Sequence, residues 1–249
     1  MTPWTEGDST TFRAIAPVAI PRRQEMIDAL VGAAPFGSDA QIRILELGSG
    51  DGRLAAALLS RFARATLTAL DGSASMRGES AAKLAAFGGR ATVAPFELAA
   101  LDWWDRMWGA DLVVSSLALH HLNDAKKQYL YKAAAERLSA GGALLVADLI
   151  EPQHPAARAA AADRWDALAR AQAEALGAPE LLQRFFDERW NHFRFPDPDD
   201  HPAALLHHVV WLRHAGFAAV DCVWLDAGHA VFGGFKRAGA SAPPPPAGS

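Results

Sequence analysis

The chain has 249 residues, of which 51% are apolar and 21% are charged, so it can bury the core of one large domain or of one domain with a small cap. Its formal net charge of −4, without a dense basic run, argues against a large nucleic-acid interface, because such an interface needs clustered Lys and Arg. Its single cysteine, Cys222, excludes an internal disulfide and a cysteine-type zinc site, and we expect it to be buried on a strand.

The first predicted elements are helical. Residues 12–31 form two predicted helical pieces, broken near Pro17 and Pro21, and we expect the range 1–40 to be an N-terminal helical cap segment. The first residues lack the basic and apolar regions of a secretory signal, and no apolar run is as long as a membrane span. We therefore expect a cytoplasmic protein without a membrane partner.

From residue 41 the chain alternates between strands and helices. Strands are predicted at 42–48, 65–71, 90–96, 110–119 and 143–150, and helices at 51–62, 75–87 and 125–142. The first strand is almost continuously apolar, which is typical of strands covered on both faces. The alternation indicates an open parallel α/β sheet with helices on both sides and right-handed crossovers over residues 41–152.

The alternation pauses at residues 153–200, which are rich in Ala, Arg and Trp. We interpret this stretch as a helical lid insert of two or three helices with a break at Gly177. Residues 201–237 then supply a helix and two strands, which a tight turn at Ala227 and Gly228 joins into an antiparallel hairpin. The proline-rich range 238–249 is predicted to be a disordered tail.

A glycine-rich loop follows the first strand in the segment ILELGSGDGRL, residues 44–54. Glycine lets a backbone approach a ligand closely because it has no Cβ. A P-loop would need a lysine followed by Ser or Thr, and neither stands in place here. The dinucleotide fingerprint has its third glycine one residue later, and Asp51 would repel a pyrophosphate at the helix start.

A ligand with a cationic centre and an amino-acid end suits this loop better. Glu46 places an acid just before the glycines, and backbone amides at the following helix start can bind a carboxylate. Asp71 ends the second strand, where a carboxylate can accept hydrogen bonds from both hydroxyls of a ribose. The two acids together therefore favour a binding site over a surface turn and a strand-end charge.

Four segments in this order resemble motifs of the class I S-adenosylmethionine-dependent methyltransferases, of the small-molecule type with an α-helical cap. They are ILELGSGDGRL, LTALDGSASM, DLVVSSLALHHL and LSAGGALLVADL. The resemblance covers residues 42–148, and the C-terminal hairpin fits the sixth and seventh strands of the family. It implies a doubly wound α/β fold with a seven-stranded, mostly parallel sheet of order 3-2-1-4-5-7-6, whose last strand is antiparallel.

The resemblance also implies the cofactor, S-adenosyl-L-methionine, and the residues that bind it. In this implied site Glu46 faces the amino group, Asp71 holds the ribose hydroxyls, and Glu97 receives the adenine amino group, although Phe96 replaces the usual glycine before it. The implied cofactor-binding residues are Glu46, Gly48, Ser49, Gly50, Gly52, Asp71, Gly72, Ser73, Met76, Phe96, Glu97, Leu98, Ser115 and Ser116.

His120 and His121 follow the fourth strand at the carboxyl edge of the sheet, where ligands bind in such folds. Either could be a general base or a substrate anchor, since histidine titrates near neutral pH. The structural alternative is that they cap a helix start or fill the pocket wall. Asp148 and Glu151, at the end of the fifth strand, are either substrate contacts or solvated loop acids.

The lid insert supplies the candidate acceptor-binding residues. We select Trp165, Arg189, Trp190 and His192, while recognising core packing as the alternative for the aromatic set. The segment HFRFPDPDDH, residues 192–201, contains histidines and aspartates, but we interpret it as a proline-broken loop and expect no metal.

These patterns predict methyl transfer to the oxygen, nitrogen or carbon of a small molecule held between the core and the helical cap. One alternative is tRNA wobble-uridine modification, by a methyltransferase or an enzyme of the carboxy-S-adenosylmethionine type. A second is a catalytically inactive cofactor-binding interaction module, and a dehydrogenase is the last. We expect a monomer or homodimer, with a small molecule and not a nucleic acid as its partner.

Overall fold

The computed structural model describes residues 5–239, so the tail predicted at 238–249 lies almost entirely outside the described residues. The helices are α1 (Glu6–Ala19), α2 (Arg23–Ala33), α3 (Arg53–Arg61), α4 (Ala74–Leu84), α5 (Asp124–Arg137), α6 (Pro155–Leu176), α7 (Pro179–Asp187) and α8 (Leu205–Ala215). The strands are β1 (Arg43–Leu47), β2 (Thr66–Asp71), β3 (Ala91–Pro95), β4 (Leu112–Ser116), β5 (Ala143–Leu149), β6 (Ala219–Asp226) and β7 (His229–Phe235).

The seven strands form one sheet in the order β3-β2-β1-β4-β5-β7-β6, which confirms the predicted fold class and strand order. Strands β1 to β5 pair in parallel, whereas β7 is antiparallel to both β5 and β6. Ala227 (φ +47°) and Gly228 (φ +72°) form the tight turn between β6 and β7. Two consecutive left-handed residues match the twist of a hairpin, so this turn sets the antiparallel pairing.

Apolar clusters cover both faces of the sheet, because β1, β4 and β5 are buried almost throughout. One cluster packs α2 and α3 against the sheet through side chains such as Met26 and Leu58, and the other packs α5 and α8 through Tyr131 and Leu212. A third joins α1, α6 and α7 around Trp165, next to the carboxyl end of β5. These helices therefore form a layer over the sheet edge where ligands bind in such folds.

Local capping explains where several helices begin. Thr5 and Asp8 make a reciprocal capping box at the start of α1, and the side chain of Ser73 accepts a hydrogen bond from Met76 N–H at the start of α4. Gly177 ends α6 in the left-handed region (φ +62°). In the described part of the chain, no helix combines the length and apolar character that a membrane crossing requires.

Four local predictions were wrong in ways that have physical causes. Pro17 lies inside α1 instead of breaking it, and the break comes after Ala19. Helix α5 ends at Arg137, because Leu138 is extended, and it does not run to residue 142. Strand β4 stops at Ser116 and does not reach residue 119, since Leu117 adopts a left-handed φ of +53°. Cys222 is exposed on β6, an edge strand with one uncovered face.

Candidate active site

The loop after β1 is shaped by left-handed glycines. Gly48 has φ +70°, and a Cβ added there would lie 2.5 Å from the Cβ of Ala118. Gly50 has φ +51°, and a Cβ there would meet no atom of the described chain within 4 Å. The loop is fixed from behind, because Gly48 N–H and Ser49 N–H both donate to Leu70 O at 2.9 Å. Gly50 therefore presents its backbone to open space from a rigid support.

Two buried polar side chains, one in this loop and one just before it, each have an oxygen atom without a hydrogen-bond partner in the described chain. Glu46 is 1% exposed and Ser49 is 5% exposed, and neither Glu46 Oε2 nor Ser49 Oγ has a hydrogen-bond partner among the described residues. Burial raises the pKa of Glu46 well above its ordinary value, and the charges of Asp71 and Asp51 add to the effect. An unpaired buried carboxyl group is costly, so the site is suited to a cationic hydrogen-bond donor.

Asp71 lies at the end of β2, beside the glycine loop. Its Oδ2 accepts a hydrogen bond from Gly50 N–H at 2.7 Å, and its Oδ1 accepts one from Ser73 N–H at 2.9 Å. Burial raises the pKa of this carboxyl group, against the lowering effect of the two backbone donors. Each carboxylate oxygen can accept more than one hydrogen bond, so Asp71 is oriented by the protein and still able to receive a ligand.

Glu6 binds helix α1 to the start of α4, next to Asp71. The Glu6 carboxylate accepts hydrogen bonds from Ala74 N–H at 2.7 Å and from the Ser73 hydroxyl at 3.0 Å, at the start of α4. The hydroxyl of Ser75, with these other donors, lowers the pKa of Glu6 to about 2. The contact brings the first helix to the segment that follows Asp71. Sequence reasoning missed it, because the partners lie far apart in the chain.

Arg23, at the start of α2, is a second residue that sequence reasoning missed. The Nη2 atom of Arg23 lies 3.2 Å from Asp51 Oδ1. Burial lowers the pKa of Arg23, although the negative charge of Asp51 acts in the opposite direction. Asp51 also pairs with Arg53 at 2.8 Å and Lys83 at 3.3 Å. Three cations therefore surround one aspartate at the start of α3, beside the buried Glu46. This excess of positive charge suits an anionic group at the helix start.

The predicted adenine-side residues follow β3. The ring of Phe96 packs edge-on against Trp103, with the centroids 5.4 Å apart. Trp103 Nε1–H donates to Glu97 O at 3.1 Å, and Ala99 N–H donates to the Glu97 carboxylate at 3.3 Å. Phe96 and Leu98 both pack against the core cluster on this side of the sheet. The Glu97 side chain is therefore turned back onto its own loop.

At the end of β4 the chain changes direction sharply. Ser115 is fully buried, and its hydroxyl donates to Leu47 O at 2.9 Å, so this side chain is used within the sheet. Ser116 ends the strand, and Leu117 follows with φ +53°, a conformation that L side chains rarely adopt. Such strain is often stored at functional sites. The turn directs the chain into the short 3₁₀ helix Leu119–His121 at the carboxyl edge of the sheet.

His120 is held by the acid at the end of β5. Its Nδ1 lies 2.5 Å from Asp148 Oδ1, and its backbone N–H donates to Asp148 Oδ2 at 3.0 Å. Burial opposes protonation of His120, but the Asp148 carboxylate outweighs it and raises the pKa of the imidazole. Burial likewise works against ionisation of Asp148, whose pKa is nevertheless lowered by His120. The pair fixes the ring through Nδ1 and directs Nε2 away from β5.

Asp200 approaches the same histidines from the loop before α8. Its Oδ1 lies 2.9 Å from His121 Nδ1 and 3.6 Å from His120 Nε2, and its Oδ2 lies 3.5 Å from His192 Nδ1. His201 N–H donates to His120 O at 2.7 Å, which docks the loop on the 3₁₀ helix. Despite its burial, the pKa of Asp200 is lowered by these imidazoles. His120 therefore lies between two carboxylates.

The four predicted acceptor-binding residues are placed differently from one another. Trp165 is 6% exposed and donates its indole N–H to Ala19 O at 2.7 Å inside the cap cluster. Trp190 donates to Glu188 at 2.9 Å, and Arg189 lies over the Phe195 ring. His192 contacts Asp200 and is thus the member of the set that the structure brings to the histidine group.

Comparison with known proteins agrees with this geometry. Residues 45–144 match a family described as methyltransferase domain. An O-methyltransferase family protein from Burkholderia thailandensis superposes with a TM-score of 0.64 at 18% identity, over 93% of this chain and 60% of that structure. An O-methyltransferase family 2 protein from Planctomyces limnophilus in complex with apigenin gives 0.59 at 15% identity, over 92% and 60%. Human N-acetylserotonin methyltransferase in complex with SAM gives 0.57 at 16% identity, over 94% and 57%.

This chain thus spans about 60% of the length of the similar structures, and no curated protein sequence matches it significantly. The segment that matches the family contains Gly50, Asp71 and His120. The sheet order and the motif order agree with the resemblance stated from the sequence. Residues 45–144 of this chain therefore match a methyltransferase-domain family, and the chain has the fold of the methyltransferase structures to which it is similar.

Proposed function

We propose that this chain transfers a methyl group from S-adenosylmethionine to a hydroxyl oxygen of a small molecule, held between the sheet edge and the helical layer of α1, α6 and α7. One observation carries the proposal. At the carboxyl edge of the sheet, Glu46 Oε2 has no partner in the described chain, the backbone of Gly50 faces open space, and His120 lies between Asp148 and Asp200. Glu46 and Gly50 suit the cofactor, and His120 with its two carboxylates suits an acceptor that must lose a proton.

The residues around the glycine loop fit the amino-acid end of the cofactor. The buried Glu46 Oε2 and Ser49 Oγ lack partners in the described chain, and an ammonium group would satisfy them. Arg23 brings a positive charge toward Glu46 and would face the carboxylate of the same group. Gly50 leaves room for the ligand against its backbone, where a Cβ would stand.

Asp71 fits the sugar. Its two oxygens are oriented by Gly50 and Ser73, and both can still accept hydrogen bonds from a ribose diol. Bound in this way, the cofactor supplies a methyl group on a positively charged sulfur, which is a good leaving group. The remaining task of the protein is to position the acceptor and to take up its proton.

His120 is the residue that we assign to the proton. Because Nδ1 faces Asp148, the nitrogen that can receive a proton from an acceptor is Nε2. His120 Nε2 takes up the hydroxyl proton as the acceptor oxygen forms its bond to the methyl carbon and the bond from carbon to sulfur breaks. The carboxylates of Asp148 and Asp200 stabilise the resulting imidazolium. An amine acceptor already has a lone pair, so this arrangement supports oxygen over nitrogen.

The helical layer supports a small aromatic acceptor. Phe12 of α1 lies near Trp190, with the ring centroids 6.4 Å apart, and Trp165 closes the layer from inside. Such a lid excludes water from a reacting centre. A similar structure is described as a complex with apigenin, a flat phenolic molecule, which supports the same acceptor class for this chain.

The test is methyl transfer to a panel of phenols, aryl amines and carboxylic acids, with S-adenosylmethionine as donor and mass spectrometry as readout. We expect a methyl ether of at least one phenol. His120→Gln should lower kcat by about 100-fold or more, the usual contribution of a general base, with the cofactor Kd unchanged. His214→Gln, on α8, is the matched control. Methylation only of amines, or equal kcat in both variants, would overturn the assignment.

A further inference from the structure

The imidazole and carboxylate groups around Asp200 also have the arrangement of a metal site. We propose that His120 Nε2, His121 Nδ1 and Asp200 bind one divalent ion of the zinc type, with His192 as a fourth ligand within reach. One ligand atom from each of His120, His121 and Asp200 lies within 4.8 Å of the others. The sequence analysis expected no metal at residues 192–201, which contain His192 and Asp200, and it did not connect that segment with His120 and His121.

The distances between these atoms suit a tetrahedral ion. Zinc binds imidazole nitrogen and carboxylate oxygen at about 2.0–2.2 Å, so neighbouring ligand atoms lie about 3.3 Å apart. Asp200 Oδ1 lies 2.9 Å from His121 Nδ1 and 3.6 Å from His120 Nε2, and the other oxygen, Oδ2, lies 3.5 Å from His192 Nδ1. The two separations from Oδ1 lie on either side of the ideal value. The ligand atoms of His120, His121 and Asp200 all lie within 4.8 Å of one another, so side-chain rotation can bring them to one ion.

Two further observations point to an ion. His192 is 7% exposed, and its Nδ1 makes no hydrogen bond of ordinary geometry in the described chain but only a long contact of 3.5 Å to Asp200 Oδ2. The Nδ1 atom of His120 contacts the carboxylate of Asp148. Histidines that bind a metal through one ring nitrogen commonly make such a hydrogen bond to a carboxylate through the other. The cluster thus contains ligands, an orienting carboxylate and a buried nitrogen without a short hydrogen bond.

The ligand set selects the kind of metal. Imidazole nitrogens suit zinc, cobalt, nickel and copper, whereas magnesium and calcium require mainly oxygen ligands. Two or three histidines with one carboxylate therefore indicate a zinc-type ion. Zinc lacks redox chemistry and accepts tetrahedral sites, so we take it as the test ion, with cobalt as its spectroscopic substitute.

Metal binding has a consequence for the reaction, and this part rests on the proposed function. An ion on His120 Nε2 occupies the nitrogen that is assigned to the acceptor's proton. Glu46, Gly50 and Asp71 are not ligands of the ion. Zinc should therefore inhibit methyl transfer, reversibly on addition of a chelator, and leave the affinity for S-adenosylmethionine unchanged.

Binding is tested on the full chain without cofactor, so that the result does not depend on the proposed function. Zinc is titrated in competition with a chromogenic chelator, and cobalt is followed by its visible absorption. We expect one ion per chain and the intense bands of a tetrahedral cobalt centre. Asp200→Asn and His121→Gln should each weaken zinc binding at least tenfold. Asp197→Asn, in the same loop, should bind as the unchanged chain does.

Circular dichroism of each variant shows whether it folds. If Asp200→Asn does not fold, His121→Gln tests the site instead, because His121 is more exposed. Absence of zinc binding by the unchanged chain would overturn the proposal. Equal zinc affinity in Asp200→Asn, His121→Gln and Asp197→Asn would overturn it as well, because the ion would then lie elsewhere. If zinc binds at this site but methyl transfer continues unchanged, the inhibition is refuted.

Discussion

Replacement of Gly50 by alanine separates the proposed ligand-facing role of the glycine loop from its backbone geometry. Gly50 has φ +51° and open space where its Cβ would be. Gly177, at the end of α6, has φ +62° and is equally open. Alanine in the left-handed region costs about 1–2 kcal/mol at either position. The two substitutions therefore carry the same backbone cost and differ in what faces the added methyl group.

In a chain of this size each kcal/mol corresponds to about 2–4 °C in Tm. We therefore expect both Gly50→Ala and Gly177→Ala to lower Tm by about 2–8 °C, as measured by differential scanning calorimetry. The methyl group at residue 50 would stand where we propose that the cofactor approaches the loop. Titration calorimetry should then show at least a tenfold loss of S-adenosylmethionine affinity, about 1.4 kcal/mol, for Gly50→Ala alone.

Gly177→Ala is the matched control for this measurement and should bind the cofactor as the unchanged chain does. The hydrogen bond from the backbone N–H of residue 50 to Asp71 is kept in the variant, so its loss is not an alternative explanation. If Gly50→Ala and Gly177→Ala bind S-adenosylmethionine equally well, the open side of the glycine loop does not face the cofactor.

Three other predictions concern single ionisable groups. Arg23→Gln should weaken S-adenosylmethionine binding about tenfold, because Arg23 is proposed to face the carboxylate of this ligand. Binding of 5′-methylthioadenosine, which lacks the amino-acid end, should be unchanged. Equal losses of affinity for both ligands in calorimetry would show that Arg23 does not contact the carboxylate. Cofactor binding should release a proton from Glu46, because the raised pKa of this group falls when an ammonium group arrives. The buffer takes up that proton, so the heat of binding should differ between phosphate and Tris buffers. The same heat of binding in both buffers would contradict the release of a proton. Burial lowers the pKa of His208 to about 3, so below pH 6.5 the unfolded chain binds a proton at this histidine that the folded chain does not bind. The free energy of unfolding, measured with urea, should therefore fall from pH 6.5 towards pH 3 by about 1.4 kcal/mol per pH unit because of this group. The same pH dependence of stability in His208→Phe would show that His208 does not cause it.

The sequence predicted the sheet well because strand periodicity and glycine placement are local signals. The apolar runs at β1, β4 and β5 indicate strands covered on both faces, and the tight turn at Gly228 indicates the final hairpin. Helix ends were harder. Pro17 is accommodated in the last turn of α1, which residue type alone does not reveal.

The candidate site was predictable only where its residues belong to one motif. Glu46 and Asp71 were selected because each ends a strand beside a turn of small residues, and strand ends meet at one edge of a parallel sheet. Glu6, Arg23 and Asp200 were not selected, because each reaches the site from a separate segment through tertiary packing. No spacing rule connects Asp200 with His120, although their side chains lie 3.6 Å apart.

We propose that the glycine loop, with Glu46 before it and Asp71 beside it, binds S-adenosylmethionine. Titration calorimetry of the unchanged chain and of Asp71→Asn, with Asp221→Asn on β6 as the surface control, measures this binding. We expect one binding site per chain, an affinity weakened about 5- to 150-fold in Asp71→Asn by the loss of about 1–3 kcal/mol, and no change in the control. No saturable heat from the unchanged chain, or equal affinity in Asp71→Asn and Asp221→Asn, would contradict it.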